Sequence, residues 1–290
     1  MDLSVIIPVY NDPEGIDATL QSVTQQTCPD YEVIPVDNNS TDGTPAVIQR
    51  WAERCPDLIR PSAERARQSS YAARNAGIRA ARGEILVFLD ADMTAPSDWL
   101  RKVRAVFSET TIDYLGYRVK TYVPDGEESF WGWYDTVMGL PSRYHYEQKQ
   151  FVPTSCLAIR RSVVKRVGPF DASATSGGDK EFGGRVHRHP DLTTAFRDDI
   201  VVYHPARTTF AAHRKKALRV GRGLARLADW SEAEGRSVLR ELLLHAVPPD
   251  PRRILRRAET RAPRDLLSLY AADLIIRWLR LYGALTALLR

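Results

Sequence analysis

The chain has 290 residues, 43% hydrophobic and 27% charged, and 41 Lys+Arg against 36 Asp+Glu leave a formal charge of +5. That apolar fraction excludes a disordered or collagen-like chain and is enough to bury a core in one large domain or two small ones. Cys28, Cys55 and Cys156 stand far apart in no metal-binding spacing. This excludes a disulfide framework and reads as buried thiols in a reduced, cytoplasmic setting.

The first element, Leu3-Ser-Val-Ile-Ile-Pro-Val-Tyr10, is short, apolar and β-branched, and reads as a parallel strand buried on both faces. A turn at Asn11–Gly15 leads to Ile16, Leu20 and Val23 at helical spacing. A second strand, Tyr31–Val36, ends in the polar turn Asp37-Asn-Asn-Ser-Thr-Asp-Gly43, whose side chains suit the start of a helix from Thr44. An Ala- and Arg-rich helix spans Gln68–Ala81 and stops at Gly83. The third strand, Glu84–Leu89, runs straight into Asp90-Ala91-Asp92. Strands alternating with helices predict a doubly wound sheet, whose ligands collect beyond the carboxyl ends of its strands. The polar clusters at Asn11, Asp37 and Asp90 all fall there.

Beyond this half, Pro96–Phe107 predicts a helix and residues 112–123 a strand. The stretch Phe130–Tyr146 holds two Trp, three Tyr and one Phe. It reads either as an aromatic core patch or as a loop that stacks on a sugar or lipid acceptor. Val152–Val167 reads as strand then helix, a helix opens at Gly177–Gly184, and Ile200–His204 is a last strand.

Residues 206–290 hold 18 Lys+Arg against 8 Asp+Glu, a local +10 that leaves −5 in residues 1–205. Such asymmetry suits contact with a polyanion. Arg207–Leu227 predicts a basic helix interrupted at Gly221-Arg222-Gly223, and Pro248, Pro249 and Pro251 mark a break before the basic run Arg252–Arg257. In the final apolar helix, Leu266, Leu269, Tyr270, Leu274, Trp278, Leu281 and Leu285, with Arg277 and Arg280, suit an interfacial helix whose basic edge meets anionic lipid through residues 252–290. A helix packed on the catalytic domain, or on a second copy in a homodimer, explains the same pattern. No nucleic-acid motif is present, and the apolar stripe would be wasted on DNA, so no nucleic-acid partner is expected. No basic leader precedes the first strand, and no uncharged run of about 18 residues occurs, so neither signal peptide nor transmembrane helix is expected.

Asp90 and Asp92, one residue apart at a strand end, point to opposite sides of the backbone. One would reach a divalent cation while the other bonds a ligand, and oxygen ligation of this type suits Mg²⁺ or Mn²⁺ holding a diphosphate. A solvated pair of turn acids has the same spacing. The GxGxxG, GxxxxGK[ST] and GxSxG motifs are absent, which excludes the usual dinucleotide, P-loop and hydrolase readings. His187 and His189 lack the partners of a zinc site.

In order, the chain presents Val5-Ile-Ile-Pro-Val-Tyr-Asn11, Asp37-Asn-Asn-Ser-Thr-Asp-Gly43, Ala73-Arg-Asn-Ala-Gly77, Gly83–Asp92, Cys156–Arg161, Val167-Gly-Pro-Phe-Asp171, Gly178-Asp-Lys-Glu-Phe-Gly183 and Tyr203-His204. This series closely resembles glycosyltransferase family 2, inverting enzymes of the GT-A fold, over about residues 3–205. The resemblance implies an α/β GT-A domain at 1–205, with a nucleotide-binding half at 1–93 and an acceptor-binding half at 94–205. A basic, amphipathic helical extension would occupy 206–290.

By resemblance, Pro8, Val9 and Tyr10 would contact the nucleotide base, and Asp37 would accept hydrogen bonds from a uracil edge. Arg74 would lie near the nucleotide and Asn75 would brace the cleft. Asp90 would bond the ribose, with Ala91 beside it in the donor site, and Asp92 would ligate Mg²⁺ or Mn²⁺. His204 would add a second metal or diphosphate contact, or else cap the strand end. Asp179 matches the catalytic base; many members carry Glu before it, where this chain has Gly178. A helix N-cap is the other reading of Asp179, and Glu181 is the reserve base. Arg222 would face a diphosphate or lipid phosphate, or else lie on a solvated charged face. The activity implied is metal-dependent, inverting transfer from a nucleotide-sugar, UDP-linked, to a hydroxyl or lipid-phosphate of a glycan or lipid-linked acceptor. It would serve cell-envelope glycan synthesis in the cytoplasm or on the inner face of the membrane. The alternative is a non-catalytic nucleotide-sugar or carbohydrate binding protein on the same fold.

Overall fold

The computed structural model describes residues 2–233, 246–258 and 262–289, the side chains of 226–233 apart. The remainder of the C-terminal extension, residues 234–245, 259–261 and 290, lies outside the described residues. Seven strands share one sheet: β1 (Leu3–Val9), β2 (Tyr31–Asp37), β3 (Ser62–Ala63), β4 (Ile85–Phe88), β5 (Tyr114–Tyr122), β6 (Leu157–Arg160) and β7 (Thr194–Pro205). Their order is β3-β2-β1-β4-β6-β5-β7. β1 pairs in parallel with β2 and β4, β2 pairs in parallel with β3, and β6 runs antiparallel to β4 and β5. Every residue of β1 and β4 is buried, which is why both are nearly unbroken apolar runs. The fold is thus the mostly parallel α/β sheet expected. The two-residue β3 carries no signal in the sequence.

The described helices are α1 (Pro13–Thr24), α2 (Thr44–Arg54), α3 (Ser70–Ala80), α4 (Trp99–Glu109), α5 (Phe130–Met138), α6 (Ser142–Lys149), α7 (Arg161–Val167), α8 (Gly178–Arg188), α9 (Phe210–Ala233), α10 (Pro251–Arg257) and α11 (Pro263–Leu288). Asp12 caps α1 by accepting from the Gly15 amide at 3.0 Å, and Ser69 caps α3 by accepting from the Tyr71 amide at 3.3 Å. α3 lies directly on β1 and β2. A side chain at Gly77 would overlap Ile6 and come within 3.2 Å of Val36, so this approach depends on glycine.

The chain divides into two compact units. The first comprises Met1–Lys120, Pro141–Ser173 and Gly178–His204; the second comprises Thr121–Leu140, Ala174–Gly177 and Pro205–Arg290. In the second, α5, α9, α10 and α11 gather Tyr134, Met138, Ala217, Ile254, Leu269, Ala272 and Ile276 into a small core. Two hydrogen bonds tie polar groups into it: the Tyr134 hydroxyl donates to Asp273 Oδ1 at 3.1 Å, and Asp135 accepts from the Arg207 amide at 2.9 Å.

Of the two readings of the aromatic stretch, the loop needs correction and the core patch holds in part: the stretch folds as α5 and α6, with Tyr134 and Met138 of α5 buried as core. A second expectation also needs correction. The glycines at 221 and 223 do not interrupt their helix, because α9 runs unbroken through them. They serve close packing instead. A side chain at Gly221 would overlap the Arg280 carbonyl of α11, and one at Gly283 would lie 2.6 Å from the Leu218 carbonyl of α9. The two backbones therefore touch, and that contact outweighs the roughly 1 kcal/mol that helical glycine costs.

The same packing turns Arg277 and Arg280 of α11 inward, while Arg264 in its first turn stays exposed. Arg277 pairs with Asp273 at 3.5 Å and donates to the Val247 carbonyl at 2.8 Å, while Arg280 Nε is sealed from solvent. The exposed side of α11 presents Leu267, Ile275, Trp278, Tyr282 and Leu285. Among the described residues no helix is long and apolar enough to cross a membrane.

Gly221→Ala should lower stability by about 1–3 kcal/mol through overpacking. Arg222→Ala, at the exposed neighbouring position, should stay within about 0.5 kcal/mol of the parent. Urea denaturation compares the two.

Candidate active site

Strand register builds the site. Val9 lies opposite Asp37, and Ile6 opposite Phe88, so β1, β2 and β4 finish at one edge of the sheet. The loops beyond β1 and β2 are laced together. Asn38 donates its amide to the Val9 carbonyl at 2.9 Å, Asn11 donates its own to Ser40 Oγ at 3.0 Å, and Thr41 donates to Asn11 Oδ1 at 2.8 Å. Asn11 takes the left-handed conformation (φ 49°) that lets this turn close. Of the three base-contact candidates, Pro8 and Val9 are buried and Tyr10 presents its side chain.

Asp37 is buried at the end of β2. It accepts from the Ser40 amide at 3.1 Å and from Arg65 Nη1 at 2.7 Å. Arg65 escaped the sequence reading, since it lies in the irregular chain between β3 and α3 and belongs to no motif.

Asp90 and Asp92 go to different partners: β4 ends at Phe88 and the chain turns at Ala91–Asp92, closed by the Met93 amide donating to the Asp90 carbonyl at 3.2 Å, so strand alternation does not carry through the pair. Asp90 Oδ1 lies 2.5 Å from Arg74 Nη2, whose side chain is 6% exposed. Arg74 thus reaches the site by holding Asp90. Ala91 is buried between the two acids. Thr94 and Tyr203 exchange backbone hydrogen bonds at 3.0 and 2.8 Å, which brings the end of β7 alongside. Asp92 Oδ2 then lies 3.6 Å from His204 Nε2, with Asp92 40% exposed and His204 6% exposed.

A carboxylate oxygen and an imidazole nitrogen this close suit Mn²⁺, which accepts both donors. They also suit Mg²⁺, which fills its shell with waters and phosphate oxygens. Among the described residues no cluster of three His, Cys, Asp or Glu side chains suits a metal. The remaining coordination positions would therefore fall to ligand and water. Negative charge is dense here: burial raises the pKa of Asp12, and the charge of Asp92 raises it further.

Asn75 braces the site from behind. Its Nδ2 donates to the Phe170 carbonyl at 2.8 Å, and its Oδ1 accepts from the Phe170 amide at 3.1 Å. Asp179 stands in the first turn of α8, its Oδ1 accepting from the Lys180 amide at 3.0 Å and from the Tyr71 hydroxyl at 3.4 Å. Glu181, the reserve base, is bound by both its oxygens to Arg185, at 2.5 and 3.0 Å. The buried thiol of Cys156 senses two of these acids: burial pushes its pKa well up, and the charges of Asp90 and Asp179 push it further. Arg222 is exposed on α9, in the second unit, whereas the carboxylates belong to the first.

The glycosyl transferase family 2 model matches residues 4–168. Glycosyltransferase AglE of Haloferax volcanii is 37% identical over 223 residues, which cover 76% of this chain and 72% of the relative. Among solved structures, the mannosyltransferase PcManGT from Pyrobaculum calidifontis, in complex with GDP-Man and Mn²⁺, aligns with a TM-score of 0.67 at 21% identity, over 99% of this chain and 86% of that one. TarS residues 1–349 of S. aureus, in complex with UDP-GlcNAc, gives 0.57 at 18% identity, over 99% and 90%. With a family match across more than half its length, the chain belongs to glycosyltransferase family 2 and has the GT-A fold.

Asn75→Ala would strand a buried amide and a buried carbonyl of Phe170. It should cost about 2–6 kcal/mol, at about 1–3 for each of the two groups left unpaired, as measured by chemical denaturation.

Proposed function

We propose that the protein transfers a sugar from a nucleotide-diphosphate donor, UDP-linked, to a hydroxyl of a glycan or lipid-linked acceptor, with inversion. The observation that carries this reading is the approach of Asp92 to His204 at 3.6 Å, one residue from the Arg74–Asp90 pair, at the edge where β1, β2 and β4 end. The nucleotide-sugar and Mn²⁺ complexes of the structural neighbours support it.

In this reading, the Tyr10 side chain and the Pro8–Val9 backbone line the base, and Asp37 accepts from its ring edge. Arg74 fixes the carboxylate of Asp90 for the ribose hydroxyls, with Ala91 beside it. Asp92 and His204 would hold Mg²⁺ or Mn²⁺, which when bound neutralises the departing diphosphate as a Lewis acid. Asp179 takes the proton of the acceptor hydroxyl as its oxygen bonds the anomeric carbon. The bond from that carbon to the diphosphate breaks on the opposite face, and its electron pair leaves with the diphosphate. A single displacement of this kind inverts the centre. Arg222 meets a phosphate of donor or acceptor. A binding protein without catalysis would use the Asp92–His204 pair for the donor but would have no need of Asp179 as a base.

Asp179→Asn should lower kcat by about 10²–10⁴-fold while nucleotide-sugar binding persists. Binding is read as the rise in melting temperature across a panel of nucleotide diphosphates and nucleotide-sugars with Mn²⁺. Asp92→Ala should abolish the part of that rise that depends on Mn²⁺. Full turnover by Asp179→Asn would remove the base assignment.

A further inference from the structure

Gly178 stands where many family members carry an acid, and the structure supplies a physical reason. A side chain there would begin 2.9 Å from Cζ of Tyr71 and 3.0 Å from its Cε1 and Cε2. Real Cβ atoms essentially never approach a ring carbon that closely. The hydroxyl end of the Tyr71 ring already fills the space a side chain at 178 would need. Gly178 has no positive φ among the glycines that do. The requirement is therefore room and not backbone conformation.

The ring is held on every side the sequence supplies. Tyr71 is buried, and the Ser69 cap sets its place in the first turn of α3. Arg74, three residues on, lays its guanidinium over the ring at 5.4 Å, and Phe170 packs at 6.0 Å with its backbone fixed by Asn75. The hydroxyl accordingly arrives at one point, the start of α8. It donates to Asp179 Oδ1 and accepts from the Asp179 amide, both at 3.4 Å. That is long for a hydroxyl hydrogen bond, so its effect on the carboxylate is directional and modest.

We propose that Tyr71 is a positioning residue for Asp179, and that it works only because residue 178 is glycine: the Tyr71 ring takes the volume of a side chain at 178, and its hydroxyl orients the Asp179 carboxylate toward the cleft. The proposal rests on Asp179 as base only for its catalytic meaning; the packing and the hydroxyl contact stand apart from it. The same side chain links Asp179 to the donor side, because Arg74 both covers the Tyr71 ring and holds Asp90.

Several titratable groups surround Asp179. Tyr114 on β5 and Cys156, at the end of the 3-10 turn Thr154–Cys156, both feel its charge, and burial keeps both neutral. On α8 itself Lys180 and Glu181 adjoin it, and Glu181 is paired with Arg185. From α3 come Tyr71 and the Arg74 guanidinium over its ring.

The test uses the full chain. The midpoint of the Asp179 carboxyl titration is read by ¹³C NMR, with the resonance assigned through Asp179→Asn. A hydroxyl that donates to a carboxylate favours its charged form, so Tyr71→Phe should raise the midpoint by roughly 0.5 unit with the melting temperature little changed. An unmoved midpoint would overturn the hydroxyl's role. In a double-mutant cycle, Gly178→Ala should lower the melting temperature by roughly 3–8 °C in the parent. In the Tyr71→Ala background the drop should shrink to about 1–2 °C. Equal losses in both backgrounds would overturn the steric pairing, and Tyr71→Leu replaces Tyr71→Ala if that variant does not fold. If both results hold while Asp179→Asn keeps full turnover, the base assignment fails and the positioning of Asp179 by Tyr71 stands.

Discussion

A guanidinium buried to 6% exposure meets the Asp90 carboxylate at 2.5 Å, and much of the active edge depends on this one pair. A buried cation without its partner is strongly unfavourable, so α3 must deliver Arg74 close to the end of β4. That demand explains the composition of the helix. Ala72, Ala73, Ala76 and Gly77 are small because α3 lies flat on β1 and β2, and Gly77 leaves no gap above Ile6. Tyr71 and Asn75 then occupy positions set by Arg74. One helix thereby fixes Asp90, the Phe170 segment and the start of α8.

Charge at this edge is divided by geometry. Asp37 and Asp90 are each neutralised by an arginine, Arg65 and Arg74. Asp92 faces the imidazole of His204 instead, a group that carries a full positive charge only when protonated. Of the three acids at the strand ends, Asp92 is therefore the one whose charge is best available to an added cation. Arg65 is exposed while Asp37 is buried, so its ion pair is screened by solvent and held loosely.

The sheet and its acidic edge are legible in the sequence because they obey local rules. Buried parallel strands are continuous apolar runs, and polar turns follow each of them. Alternation predicts different partners for Asp90 and Asp92, and the two do take different partners, although a turn at Ala91–Asp92 and not an extended strand parts them. The rest depends on contacts distant in sequence, which no local pattern encodes. Tyr71 meets residue 178 across more than a hundred positions. Arg65 sits in a segment with no periodicity. The glycines of α9 read locally as helix breakers, since nothing nearby reveals that residues 280–284 press against Gly221 and Ser176 against Gly223. Phe130–Tyr146 misled in the opposite way: its aromatic content suggests a recognition loop, while the spacing of Tyr134 and Met138 is that of a helix with one buried face.

The backbone contact between α9 and α11 has a consequence for how the C-terminal helix can vary. Gly221 faces Arg280 and Ala284, and Gly283 faces Leu218, so each helix offers its gap to the other's main chain. Sliding α11 by one turn, about 5.4 Å, would carry Gly283 away from Leu218 and press a side chain into the α9 backbone there. The helix is thus indexed to a single notch. A single residue inserted between Ile276 and Gly283 would turn one end of α11 against the other by about 100° and so split the outer face that carries Trp278 and Tyr282.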